Sequence, residues 1–166
     1  MYLNSRKNHN KFEKCYFGYN IFQFITLGNI EIMLMTRASE YALLSLVVLA
    51  KTSGAMDSDT LSKELNISKS FLSKILQSLT RHHILQSFKG VNGGFELIRD
   101  SKEITILEVM RAVEGKGPAV FDCSPSSDSC PSDQAKSCSL WPFLNKLQGK
   151  IDNFLDTVTI ADLIEE

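Results

Sequence analysis

The sequence predicts a mainly helical protein, a winged helix-turn-helix DNA-binding domain with a small β-hairpin wing and a long C-terminal dimerisation helix. Three observations carry this prediction. Two short amphipathic segments meet across the turn "NIS" at 66 to 68; the basic, turn-rich "KGVNGG" follows directly; and an apolar stripe at heptad spacing runs toward the C-terminus. A length of 166 residues, 43% of them hydrophobic and 22% charged, suits one compact domain with an appendage.

Residues 1–32 stand apart, holding seven of the fifteen aromatics (Tyr2, Phe12, Tyr16, Phe17, Tyr19, Phe22, Phe24) without helical or strand periodicity. They read as an N-terminal extension outside the fold. The run "IFQFITLG" is broken by Gln23 and followed by no small-residue cleavage site, so it is a poor export signal. Cys15 has no assigned role.

The apolar "ALLSLVVLA" at 42–50 is too short to span a bilayer and reads as the centre of a buried helix, 36–51, capped by Thr36. A short helix capped by Asp57 or Ser58 follows and ends at Asn66, a residue that tolerates the left-handed conformation. Ser68 caps the next helix. There Leu72, Ile75, Leu76 and Leu79 fall at i, i+3, i+4 and i+7, turning Lys69, Ser70, Ser73, Lys74 and Gln77 outward. Strand-like runs at 84–88 and 95–98 flank the turn and form the wing.

Beyond the wing, Thr105 and Glu108 stand at capping-box spacing ahead of a helix whose face is Ile106, Val109, Met110 and Val113, ending at Gly115. In the last helix Leu144, Ile151 and Val158 repeat every seven residues, as do Leu147 and Phe154, which predicts a pairing seam and a homodimer. The expected division is therefore 1–32 extension, 33–114 winged helix-turn-helix, 115–139 cysteine loop, and 140–166 dimerisation helix and tail.

The formal net charge of -1 conceals an asymmetry. Residues 62–99 carry six Lys/Arg against two Glu, whereas residues 100–166 carry six against twelve acids. A polyanion would meet the basic middle. Lys69, Ser70, Ser73 and Lys74 are the expected groove and phosphate contacts of the recognition helix, and Lys89, Asn92 and the Gly93-Gly94 backbone those of the wing. Enzymatic function has no support: no nucleophile is paired with a base, and "GVNGG" lies in a hairpin rather than between a strand and a helix. His82 and His83 close the recognition helix, where a cation suits the helix dipole.

Three of the four cysteines, Cys123, Cys130 and Cys138, lie in "FDCSPSSDSCPSDQAKSCSLW", a segment of Ser, Asp and Pro with almost nothing apolar to bury them. Their spacings of seven and eight positions are too wide for structural zinc knuckles. An odd count in a cytoplasmic DNA-binding chain argues against a disulfide framework. Free cysteine is ordinarily buried, so the simplest account is a soft metal centre, with thiolates binding an iron-sulfur cluster. Alternatives are a cluster-free regulator that senses redox change through these thiols and, further off, an iron-sulfur electron carrier or enzyme.

From Met33 onward the chain resembles the IscR/NsrR family of bacterial iron-sulfur transcription regulators. The matching stretches are "MTRASEYALLSL", "LSKELNISKSFLSKILQSL", "FKGVNGGFEL", "ITILEVMRAVEG", the three cysteines and "LWPFLNKLQGKIDNFLDTVTIADLI". The resemblance implies a homodimer on double-stranded operator DNA, with the cluster loop of one subunit near the first helix of the other. It also implies one cluster per subunit, 2Fe-2S or 4Fe-4S, and neither a membrane nor a small-molecule substrate as partner. Some family members supply a histidine after the third cysteine, but "CSLWPF" has none. In NsrR-like members a carboxylate early in the partner's first helix completes the site, which aligns with Glu40; Asp122, another loop acid or a water are the other candidates.

Overall fold

The computed structural model describes residues 35–90 and 93–165. These belong to one compact unit, Leu34–Glu166. The aromatic-rich extension, Cys15 and Asn92 lie outside the described residues.

Helix α1, Arg37–Lys51, begins where expected, with the Thr36 hydroxyl accepting the Ser39 N–H. Ala42, Leu46, Val47 and Leu49 bury its apolar side. Helix α2, Ser58–Leu65, is capped by Asp57, whose carboxylate accepts the N–H of Asp59 and Thr60, and it closes on Asn66 at φ 54°. Helix α3, Lys69–Arg81, is capped by Ser68. Its stripe of Leu72, Ile75, Leu76 and Leu79 is buried as the spacing requires.

Strand β1, Leu85–Phe88, pairs antiparallel with β2, Gly94–Leu97, in the register Leu85 to Leu97 and Phe88 to Gly94. The strand boundaries fall within one residue of those predicted. Beyond the prediction, the hairpin is tied back to Met56, the residue before the α2 cap: the Phe95 N–H donates to the Met56 carbonyl at 2.8 Å, and the Met56 N–H donates to the Phe95 carbonyl at 3.0 Å. Gly94 is required there, because a Cβ would run into the Met56 carbonyl.

Helix α4, Ile106–Glu114, is capped by Thr105 and ends at Gly115 with φ 72°. Only half of the expected capping box forms. Thr105 Oγ1 accepts the Glu108 N–H, but the Glu108 carboxylate turns away to Arg99 at 2.5 Å. Helix α4 packs on α1 and α3, and the buried Ser78 hydroxyl of α3 donates to the Ala112 carbonyl at 2.8 Å.

Helix α5, Trp141–Thr157, packs on α4. The predicted seam is split: Leu144 is buried within the chain, Leu147 and Ile151 are half-buried, and Phe154 is 57% exposed; outside the seam, Leu155 is buried and Phe143 is 60% exposed. Val158 lies past the helix end, its carbonyl accepting the Ile106 N–H at 2.9 Å. The heptad count carried it into α5, but the chain has by then turned back along the start of α4. A final turn, α6, Asp162–Glu165, follows. No helix among the described residues is long and apolar enough to cross a membrane.

Candidate nucleic-acid interface and cysteine segment

Helix α3 presents Lys69, Ser70 and Lys74 to solvent and Ser73 partly so. Their freedom differs. Lys69 lies 3.4 Å from Asp59, which also holds Lys63 at 2.5 Å, and these two ammonium groups keep the Asp59 carboxyl below its usual range. Lys74 has no ion pair among the described residues, so its charge is uncompensated. Phe71 is braced edge-on against Tyr41 of α1, with centroids 5.9 Å apart, which fixes the start of the recognition helix against the core. In the wing, Lys89 is exposed at the hairpin tip. Gly93 is sterically required, since a Cβ would strike the backbone of Phe88 and Lys89. Gly93 and Gly94 thus have structural reasons to be glycine whether or not their backbone meets DNA.

Glu40, in the first turn of α1, forms an exposed ion pair with Arg37 at 2.9 Å. Glu114, at the end of α4, was not singled out by sequence. Its Oε1 accepts the Thr36 hydroxyl at 2.6 Å and the wholly buried Ser39 hydroxyl at 2.5 Å. The start of α1 is therefore fastened to the residue from which the cysteine segment departs.

That segment has two limbs. The first, 118–124, is fastened to α5. Gln148, 4% exposed, accepts the Val120 N–H at 2.9 Å and the Ser124 hydroxyl at 2.6 Å on Oε1. Its Nε2 donates to the Pro118 carbonyl at 2.7 Å and to Asp152 at 2.8 Å. Asn145 donates to the Ser124 carbonyl, and the Trp141 indole N–H donates to the Cys123 carbonyl, each at 3.0 Å. The second limb consists of two 3-10 turns, Ser127–Ser129 and Ala135–Ser137, each followed by a cysteine, Cys130 and Cys138. Residues 125–138 hydrogen-bond only to one another among the described residues. Ala135 is the one buried residue in this stretch.

Cys123 and Cys130 are half-buried and Cys138 is exposed. The Cys130 thiol is held below its ordinary range by the Ser132 hydroxyl and then by backbone N–H groups of Ser132, Gln134 and Ala135. Donors facing a sulfur in this way favour thiolate, the form that binds soft metal. By donor chemistry, three unpaired thiols on a polar segment fit an iron-sulfur cluster. Their positions are not those of a finished site, for no three His, Cys, Asp or Glu side chains gather as a metal centre among the described residues. Neither Glu40 nor Asp122 joins the sulfurs within the chain.

A capped helix pair, a basic outward face and a hairpin hydrogen-bonded to the base of α2 define a winged helix-turn-helix protein of the DNA-binding class. Residues 35–166 match the family model Rrf2, described as an iron-dependent transcriptional regulator, and the chain belongs to this family, whose regulators bind DNA. It is similar to YffB of Lactococcus lactis subsp. lactis, named as an HTH-type transcriptional regulator, at 31% identity over 77% of this chain and 83% of that protein. It is similar also to the HTH-type transcriptional regulator IscR of Sodalis glossinidius, at 28% identity over 80% of this chain and 79% of that one. Among solved structures, Staphylococcus aureus CymR superposes with a TM-score of 0.58 at 25% identity, covering 79% of this chain and 98% of that one.

Proposed function

We propose that the protein is a cytoplasmic, homodimeric transcriptional regulator whose affinity for a double-stranded operator is set by an iron-sulfur cluster, 2Fe-2S or 4Fe-4S, one per subunit. Cys123, Cys130 and Cys138 would hold it, with Glu40 of the partner subunit as the favoured fourth ligand. The observation that carries this reading is the division of the cysteine segment. One thiol sits on a limb fastened to α5, and two sit on a limb that can close toward it without breaking a hydrogen bond to the rest of the fold. The family's description as iron-dependent and the similarity to IscR support the reading.

When bound, the cluster supplies a crosslink that oxidation, nitric oxide or iron shortage can break. The chain's own residues do the remainder. Cys130 and Cys138 draw the second limb toward Cys123, Gln148 and Trp141 keep the first limb on α5, and Glu114 holds the start of α1. Helix α4 packs against both α5 and α3, so a shift of α5 bears on the recognition helix. Homodimerisation is supported by the flank of α5 left uncovered in a single chain, Phe143 and Phe154. Lys69, Ser70, Ser73 and Lys74 would face the major groove, with Lys89, Asn92, Gly93 and Gly94 at the neighbouring groove or phosphate. A useful switch needs cluster binding to favour one arrangement by a few kcal/mol, within reach of several metal-ligand bonds.

A second reading has its own observation. Because the three thiols are accessible and ungathered, regulation by their direct oxidation is the alternative. Anaerobic purification decides between them. Brown protein containing iron and sulfide, whose operator gel shift changes when iron is chelated, supports the cluster. Colourless protein whose gel shift responds to peroxide and reverses with thiol supports direct oxidation.

A further inference from the structure

A glutamine amide has two acceptor sites on oxygen and two donor sites on nitrogen, and Gln148 uses all four. The Val120 N–H can only donate and the Pro118 carbonyl can only accept, so the amide has one orientation in this network. No other side chain of this length meets the same set. Leucine would leave the Val120 N–H and the Pro118 carbonyl facing apolar surface and the Ser124 hydroxyl with only the Phe121 carbonyl, and glutamate would set a carboxylate against both the Pro118 carbonyl and Asp152. A buried and fully satisfied polar hub of this kind specifies one arrangement of the backbone around it. Here that backbone is the limb that carries Cys123, whose carbonyl also accepts the Trp141 indole N–H. On the far side, Asp152 lies 3.9 Å from Arg111 of α4, so the hub touches both the cysteine limb and the helix that packs on α3.

We infer that Gln148 is the positioning residue of the sensing segment: it fixes residues 118–124 on α5 so that Cys123 is the stationary thiol, and Cys130 and Cys138 are the ones that move. The inference rests on the proposed sensing role for its biological meaning, but its geometry can be tested separately.

The test is alkylation of the full chain, reduced and metal-free, with iodoacetamide, each cysteine followed by mass spectrometry. Gln148→Leu should speed modification of Cys123 about fivefold or more, the factor that loss of one buried hydrogen bond carries, and leave Cys130 and Cys138 unchanged. Trp141 is the chain's only tryptophan, so its emission should shift to the red as the indole loses the Cys123 carbonyl. Ser124→Ala removes one of the four Gln148 bonds, together with the local Ser124–Phe121 bonds, and leaves the other three Gln148 bonds in place. It should give the same selectivity with a smaller factor, and it covers the case in which Gln148→Leu fails to fold. Equal acceleration of all three thiols, or none in either variant, would overturn the inference. If Cys123→Ser leaves the operator response to iron and oxidant intact while Gln148→Leu still exposes Cys123 selectively, the sensing role falls and the positioning role stands.

Discussion

The winged domain and the cysteine segment are held together by different forces. From α1 to α4 the chain is fixed by apolar burial, with Leu46, Leu61, Leu72, Leu76, Leu79 and Ile84 fully enclosed, and its helix starts are secured by Thr36, Asp57, Ser68 and Thr105. From 118 to 138 almost nothing apolar is enclosed, and the attachment is a few hydrogen bonds converging on Gln148. Burial is non-directional and hard to undo locally, whereas a hydrogen-bonded attachment can be released in part without unfolding the rest. The winged domain can therefore stay folded when the cysteine segment is released from α5.

The sharpest way to break this contrast is to damage the core. Leu76→Ala should cost about 2–5 kcal/mol by urea denaturation and remove DNA binding with the fold. Serine at all three cysteine positions should leave the urea midpoint close to wild type; a loss as large as that of Leu76→Ala would show the segment to be structural. Gly94→Ala comes next, at about 1–3 kcal/mol, because its Cβ meets the Met56 backbone, which cannot yield as a flexible side chain does. Operator affinity should fall with it as the wing loses its tie.

Smaller effects sharpen the picture within the DNA-reading face. Lys74→Ala should reduce the slope of log affinity against log salt by about 1, equally for specific and non-specific duplexes. Lys69→Ala should reduce it less, since Asp59 already partly neutralises that charge; equal slopes would show that Asp59 releases Lys69 on binding. Smallest is a pH effect. The Asp57 carboxyl is held below its usual range, chiefly by the Thr60 hydroxyl and N–H. Its contribution is complete above the ordinary carboxylate range and is lost as pH falls through the lowered value. Asp57→Asn keeps a capping oxygen, so the melting temperature should drop less steeply on acidification than in wild type.

Much of the winged domain was legible because its signals are local. Caps at Thr36, Asp57, Ser68 and Thr105, the left-handed Asn66 and the α3 stripe each follow from a few neighbouring residues. What sequence could not supply were pairings across the chain. Met56 bonds to Phe95, the Glu108 carboxylate prefers Arg99 to its own helix start, and Val158 turns back onto Ile106. Phe143 and Phe154, not Leu144, face outward on α5, because α4 takes the centre of the apolar arc and leaves its flank. In the cysteine segment the thiols stand out by residue type, whereas Ser124 there and Gln148 on α5 carry no comparable signal. The available hint was a glutamine four positions after Leu144 on an otherwise apolar arc, a signal with meaning only once its partners are in place.

Under the proposed function, the state of the cysteine segment sets operator affinity while the winged domain stays folded. The most direct measurement is operator affinity of anaerobically purified protein before and after iron chelation, for wild type and Cys130→Ser, with circular dichroism on each sample. The account predicts about a tenfold or larger change for wild type, none for Cys130→Ser, and the same helical signal throughout. Equal affinities for iron-loaded and chelated wild type, or an undiminished response in Cys130→Ser, would contradict it.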